Sequence, residues 1–228
     1  MLGEIPKETT GDYVHAIMKG EISSIPLVGG PAAELFGLII APPISKRRDE
    51  WFSLLGQELN RLSNEIDKFN LDKLVHNEAF ITTILHATQI ALRNHQMEKL
   101  IALRNAVINS AVQETADEGL NTYFLSVVDN LTEWHLRILI LLDNPREWFI
   151  KNGREVPHVH RGPIAVIVLK AFEEKPPGFG GLVEQIGKDL FSRGLLGVES
   201  LNTIMTGEGL LQSRTTALGK RFIRFLTV

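Results

Sequence analysis

The residues best suited to chemistry in this 228-residue chain are His158 and His160, one residue apart, with Glu155 close by. Imidazoles and carboxylates hold metals, but a metal centre needs three or four ligands in fixed geometry. The chain has no cysteine and no His-Glu-x-x-His pair, so these histidines read as part of a polar loop. His86, His95 and His135 lie on or beside apolar helical segments and read as packing histidines. Gly178-Phe179-Gly180-Gly181 precedes a helix and has the texture of an anion cradle. It lacks a preceding strand and a Lys-Ser/Thr ending, so a turn is the better reading. Arg104, Asn105 and Asn109 fall on a mostly apolar helix, where Arg104 is expected to pair with Glu78 or Glu98. No Gly-x-Ser-x-Gly elbow and no Ser, His and Asp in catalytic order appear. The expectation is therefore a non-enzymatic chain with no catalytic residue, metal or cofactor.

The elements that carry these residues are read from hydrophobic spacing. Charged residues make up 22% of the chain and hydrophobic ones 44%, the balance of a folded protein rather than a disordered one. The absence of cysteine excludes a disulfide scaffold and thiolate chemistry. Residues 1–30 form an N-terminal arm without the pattern of a secretory signal, which makes the cytoplasm the expected location. Pro31 opens a short apolar helix that Pro42 and Pro43 should stop. Ser45 then caps a helix running to about Phe69. Its stripe, from Trp51 through Leu55, Leu59, Leu62 and Ile66 to Phe69, is heptad-like and could continue across a dimer. Helices over about 78–93 and 96–114 complete a helical bundle at 31–115. A long helix from Asn121 to Leu142 and a turn carrying Trp148 and Phe149 come next. Residues 164–172 are short and β-branched, so strand and helix both remain open there. An amphipathic helix over 180–193 ends at Gly194, and a last helix covers 217–226. The fold class expected is mainly α.

Within 121–228, Arg193-Gly194-Leu195-Leu196 is followed by Thr215-Thr216-Ala217-Leu218-Gly219-Lys220-Arg221-Phe222. This resembles the Gly-Leu-(Ile/Val) … Thr-x-x-Gly-x-x-Phe ending of bacterial winged-helix domains. Leu131 to Leu139 is similar to their opening helix. The resemblance implies a winged-helix-like C-terminal domain with a two-stranded wing between 195 and 216. The loop around His158 is longer than usual for such domains. Lys99-Leu100 and Leu103-Arg104-Asn105-Ala106 look similar to uncharacterised bacterial proteins that join a helical bundle to such a domain, a likeness that carries no activity with it.

A winged helix places its third helix in the major groove. Here that helix would present Gln185, Lys188 and Ser192, and phosphate contacts could come from Lys188, Arg193, Arg214, Lys220, Arg221 and Arg224. Glu184 and Asp189 on the same helix would oppose a polyanion. The net charge of -3 hides an asymmetry: residues 1–120 carry -5 and residues 121–228 carry +2, and the last sixteen hold four cations and no acid. The leading expectation is a binding or adaptor protein with a protein partner or self-association, and with DNA as a candidate ligand. The alternative is a membrane-acting protein that docks or inserts the apolar segment 22–44, with Lys46, Arg47 and Arg48 touching anionic lipid.

Overall fold

The computed structural model describes residues 31–65, 71–112 and 117–227, with side chains from Ser45 onward. It is mainly helical and divides into two compact units, Met1–Glu50 and Trp51–Val228. Helix α1 spans Pro31–Glu65. It runs through Pro42 and Pro43, so the expected stop and restart at Ser45 do not occur. Proline holds φ near its helical value but removes a backbone donor and crowds the preceding turn, so the helix continues past Pro42 and Pro43 at a local cost of about 3 kcal/mol or more. In the first unit Lys46 lies 3.7 Å from Glu50, and Arg48 pairs with Asp49 at 3.1 Å.

In the second unit, α1 meets α3 (Glu78–Arg93) after the short α2 (Leu71–Leu74). The Trp51 indole donates to Thr88 Oγ1 at 2.9 Å. Trp51, Leu55 and Leu62 are buried within the chain's own core, so these positions of the heptad-like stripe are already covered. Ile66 and Phe69 lie outside the described residues. Asn77 caps α3 by accepting from the Phe80 amide, the role that asparagine fills at a helix start. Helix α4 (Met97–Val112) packs against α3.

The expected long helix from Asn121 is two helices, α5 (Glu118–Asn130) and α6 (Glu133–Asp143). Leu131 and Thr132 are extended between them. Thr132 and His135 make a reciprocal capping box, which restarts the helix where apolar spacing alone shows no break. Asn144 and Pro145 then open α7 (Pro145–Lys151).

Strand β1 (Arg161–Pro163) leads into α8 (Ala165–Ala171), which settles the ambiguous 164–172 segment largely as helix. Helix α9 (Phe179–Ser192) ends at Gly194, whose φ of 70° and bond to the Phe191 carbonyl form a left-handed stop. Strand β2 (Ile204–Thr206) pairs antiparallel with β1, with Gly162 opposite Met205. The two-stranded wing expected between 195 and 216 is reduced to one bridge, Leu196 with Thr215. The strand pairing goes to β1 because Ile164 and Ala165 already donate to the carbonyls of Thr203 and Leu201, which aligns the adjoining residues. After α10 (Gly207–Leu210), Thr216 caps α11 (Ala217–Leu226).

One apolar core runs through this unit. Phe222 and Phe225 of α11 stack on Phe124 of α5 at 5.2 and 5.3 Å between ring centroids. The bundle and the C-terminal part expected from the change of texture near residue 120 therefore share a core. Closing α11 onto α4 and α5 buries surface that neither part covers alone.

Candidate interaction surfaces

The residues expected on the third helix of a winged helix fall on α9. Gln185, Lys188 and Ser192 are exposed there. Each is partly engaged by its own helix. Gln185 donates to Asp189 at 2.8 Å, Ser192 to the Asp189 carbonyl at 2.9 Å, and Lys188 lies 3.6 Å from Glu184. Glu184 is not a groove-facing carboxylate. It is half-buried and accepts from Ser200 at 2.9 Å. Asp189 turns toward His135, with 3.4 Å between Oδ2 and Nε2. Leu182 and Phe191 are also exposed, at 38% and 40% of their full areas, at opposite edges of the outward side of α9.

The expected phosphate contacts separate into three groups. Lys220, Arg221 and Arg224 are exposed on α11, a helix without an acidic residue. Arg193 is half-buried at the end of α9, and its carbonyl receives the Tyr123 hydroxyl at 3.4 Å. Arg214 does not belong with the outward cations. Its guanidinium donates to the Gly209 carbonyl, its amide to Leu142 and its carbonyl accepts from Gly197. Its Nε is buried without a partner, and burial lowers its pKa. It is a residue of the loop interior, made so by the bridge beside it.

The histidines divide as well. His135 is buried and satisfied, with Thr132 Oγ1 2.8 Å from Nδ1 and Asp189 beyond Nε2. Burial pushes its pKa down more than Asp189 raises it. His86 is half-buried and shifted down for the same reason. His95, expected to pack, is exposed where α3 gives way to α4, as are His158 and His160 in their loop. Among the described residues no group of three or more His, Asp and Glu gathers into a metal site.

Arg104 pairs with neither Glu78 nor Glu98. Its Nε and Nη2 donate to Asn105 Oδ1 at 3.0 and 2.8 Å, which turns the Asn105 amide to the Leu226 carbonyl. Arg104 also helps Arg61, the main cause, to lower the pKa of Glu58. Asn105 and Asn109 both donate to carbonyls at the C-terminal end of α11 and the residue after it.

A surface that sequence spacing did not reveal lies between α6, α7 and the end of α8. It is an open groove of about 740 Å³ walled by Trp134, Trp148 and Phe172, with Arg137 inside. The Arg137 guanidinium carbon sits 4.4 Å from the Trp134 ring centre and 4.9 Å from that of Phe172. Arg154 borders the groove and is held by Glu173 at 2.8 Å. The Trp134-Arg137 spacing of one helical turn was visible in the sequence. Trp148 and Phe172 come from distant segments that only folding brings together.

Residues 22–30 of the segment expected to meet a membrane lie outside the described residues, and 31–44 belong to α1. No helix among the described residues is long and apolar enough to cross a membrane. Of the expected lipid contacts, Lys46 and Arg48 have carboxylates of their own chain beside them. No protein family, curated protein or solved structure matches the chain.

Proposed function

We propose that this chain is a non-enzymatic adaptor whose winged-helix-like part, residues 121–228, binds a partner protein through α9. The observation that carries the reading is the mixed character of the outward α9 face. Leu182 and Phe191 are exposed beside Gln185 and Ser192, and the single lysine there, Lys188, has Glu184 within 3.6 Å. Aromatic and aliphatic anchors with few charges favour a protein surface, whereas a duplex rewards clustered cations. The element order α6, α7, β1, α8, α9, then the Leu196–Thr215 bridge and α11, supports the winged-helix-like description.

The test is site-specific photocrosslinking in the native host, with the crosslinker at Leu182, Gln185 or Phe191 and, as a control, at exposed Gln89 of α3. A discrete protein adduct from the α9 positions alone is the expected result. No adduct from α9, or equal adducts from Gln89, overturns the reading.

A second reading, DNA binding, is favoured by one observation, the exposed Lys220, Arg221 and Arg224 on an acid-free helix. Fluorescence anisotropy with generic duplex DNA tests it. Each phosphate neutralised steepens the dependence of log affinity on log salt by about 0.9. No binding at about 50 mM salt removes this reading.

A further inference from the structure

We propose that the groove around Arg137 is a second docking site, one that takes an extended peptide segment of a partner protein carrying a single acidic side chain, whose Asp or Glu carboxylate seats on the Arg137 guanidinium. The inference stands apart from the α9 reading.

Two aromatic rings hold Arg137. Trp134, one turn earlier on α6, and Phe172, after α8, both lie under its guanidinium carbon. Trp134 and Phe172 are edge-on to each other at 5.3 Å, and Trp148 braces Phe172 edge-on at 5.4 Å. A guanidinium carries its N–H groups in one plane, a fork that matches a carboxylate. Arg137 takes part in none of the ion pairs among the described residues. Arg154, at the same groove, is neutralised by Glu173. Arg137 is thus a half-buried cation in no ion pair, set against the Trp134 and Phe172 rings at the groove. That arrangement matches bidentate capture of a carboxylate.

The surroundings select the occupant. Glu133 and Glu174 also line the groove, and Lys175 is drawn to the Leu169 carbonyl at 2.6 Å. Two carboxylates beside one available guanidinium disfavour a polyanion such as a nucleic acid, while a single acidic side chain is accommodated. Ile140, 38% exposed at the groove, offers apolar contact to a neighbouring peptide side chain. The groove is open to solvent, as peptide-recognition grooves are.

The experiment selects a randomised 12-residue peptide display library on the full chain and, in parallel, on Arg137→Gln. The expected result is enrichment, on the unmodified chain only, of peptides with an Asp or Glu at fixed spacing from an apolar residue. Synthetic peptides of the enriched sequence should shift the indole N–H resonances of Trp134 and Trp148. Exchanging their Glu for Gln should weaken binding at least tenfold, a comparison that needs no protein variant. Arg137→Lys keeps the charge, loses the fork and should also bind at least tenfold more weakly while keeping the thermal midpoint. Enrichment that is equal on Arg137→Gln, enriched peptides without an acid, or shifts that spare both indoles overturn the proposal. So does a failure to enrich any sequence. Saturation of the same indole shifts by acetate or succinate at concentrations matching the peptide would instead make this a small-carboxylate site and overturn the peptide as occupant.

Discussion

Asn105 on α4 donates its side-chain amide to the Leu226 carbonyl of α11 at 2.8 Å, joining positions 121 residues apart in the chain. Asn109 adds bonds to the carbonyls of Arg224, Phe225 and Thr227 at 3.0 to 3.1 Å. The last carbonyls of a helix have no partner within it. Helix α4 supplies those partners and fixes α11 over the core.

Replacing Asn105 by Ala should destabilise the fold by about 1–3 kcal/mol, because a buried carbonyl loses its donor. Asn109→Ala should cost less, about 1 kcal/mol, since Asn109 is half-buried and water can reach its partners. Urea unfolding of both variants, compared at the midpoint, checks the order.

Gly219 of α11 packs against the backbone of Leu195, next to the Leu196–Thr215 bridge, and an added Cβ would collide with the Leu195 carbonyl oxygen. The obstacle is backbone, so Gly219→Ala should cost about 1–3 kcal/mol through forced displacement. Gly180 and Gly181 in α9 have open space at the Cβ position. Gly181→Ala should therefore stabilise by about 0.5–1 kcal/mol, the helix-propensity difference. Thermal melts of the two variants should move in opposite directions.

His135 links stability to pH. Its folded-state pKa lies below the ordinary 6.5, first because of burial, with Arg193 and Lys99 adding to the decrease and Asp189 opposing it. A histidine depressed on folding binds a proton more readily when unfolded. Its contribution is thus fully present above 6.5 and is lost as the pH falls from there through the lower folded-state value. His86, also lowered by burial, acts with the same sign. Urea midpoints measured between about pH 8 and pH 5 should fall on the acid side, and His135→Gln should flatten that fall.

Charge reversal of the three exposed α11 cations, Lys220→Glu, Arg221→Glu and Arg224→Glu, should leave stability within about 1.5 kcal/mol, since each surface change is worth about 0.5 kcal/mol or less. Arg214→Gln should differ from these. It removes the guanidinium that holds the Gly209 carbonyl and should lower the melting point measurably. Differential scanning fluorimetry on the two proteins separates the outward cations from the inward one.

The helical class, most helix positions and several helix ends follow from the residue pattern alone. Those features are local. Asn77, Thr216 and Gly194 act within a turn of the residues they cap or stop, so their types and spacing suffice. Apolar spacing marked Trp51, Leu55 and Leu62 as one helix stripe, and the fold buries all three in the chain's own core. The break at Leu131–Thr132 was harder to read, because a histidine replaces the usual Glu or Gln of the capping box. Which cations face outward depends on contacts between distant segments. Lys220 and Arg214 are both basic residues near the C-terminus, yet one is exposed and the other is turned into a loop by contacts with Leu142, Gly197 and Gly209. The pairing of β2 with β1 and the Trp134–Arg137–Phe172 stack depend on such contacts too. The physical reason is one of range. Caps and periodicity are set by neighbours a few residues away, whereas a strand partner, a buried guanidinium or an aromatic wall depends on which distant segments close the core.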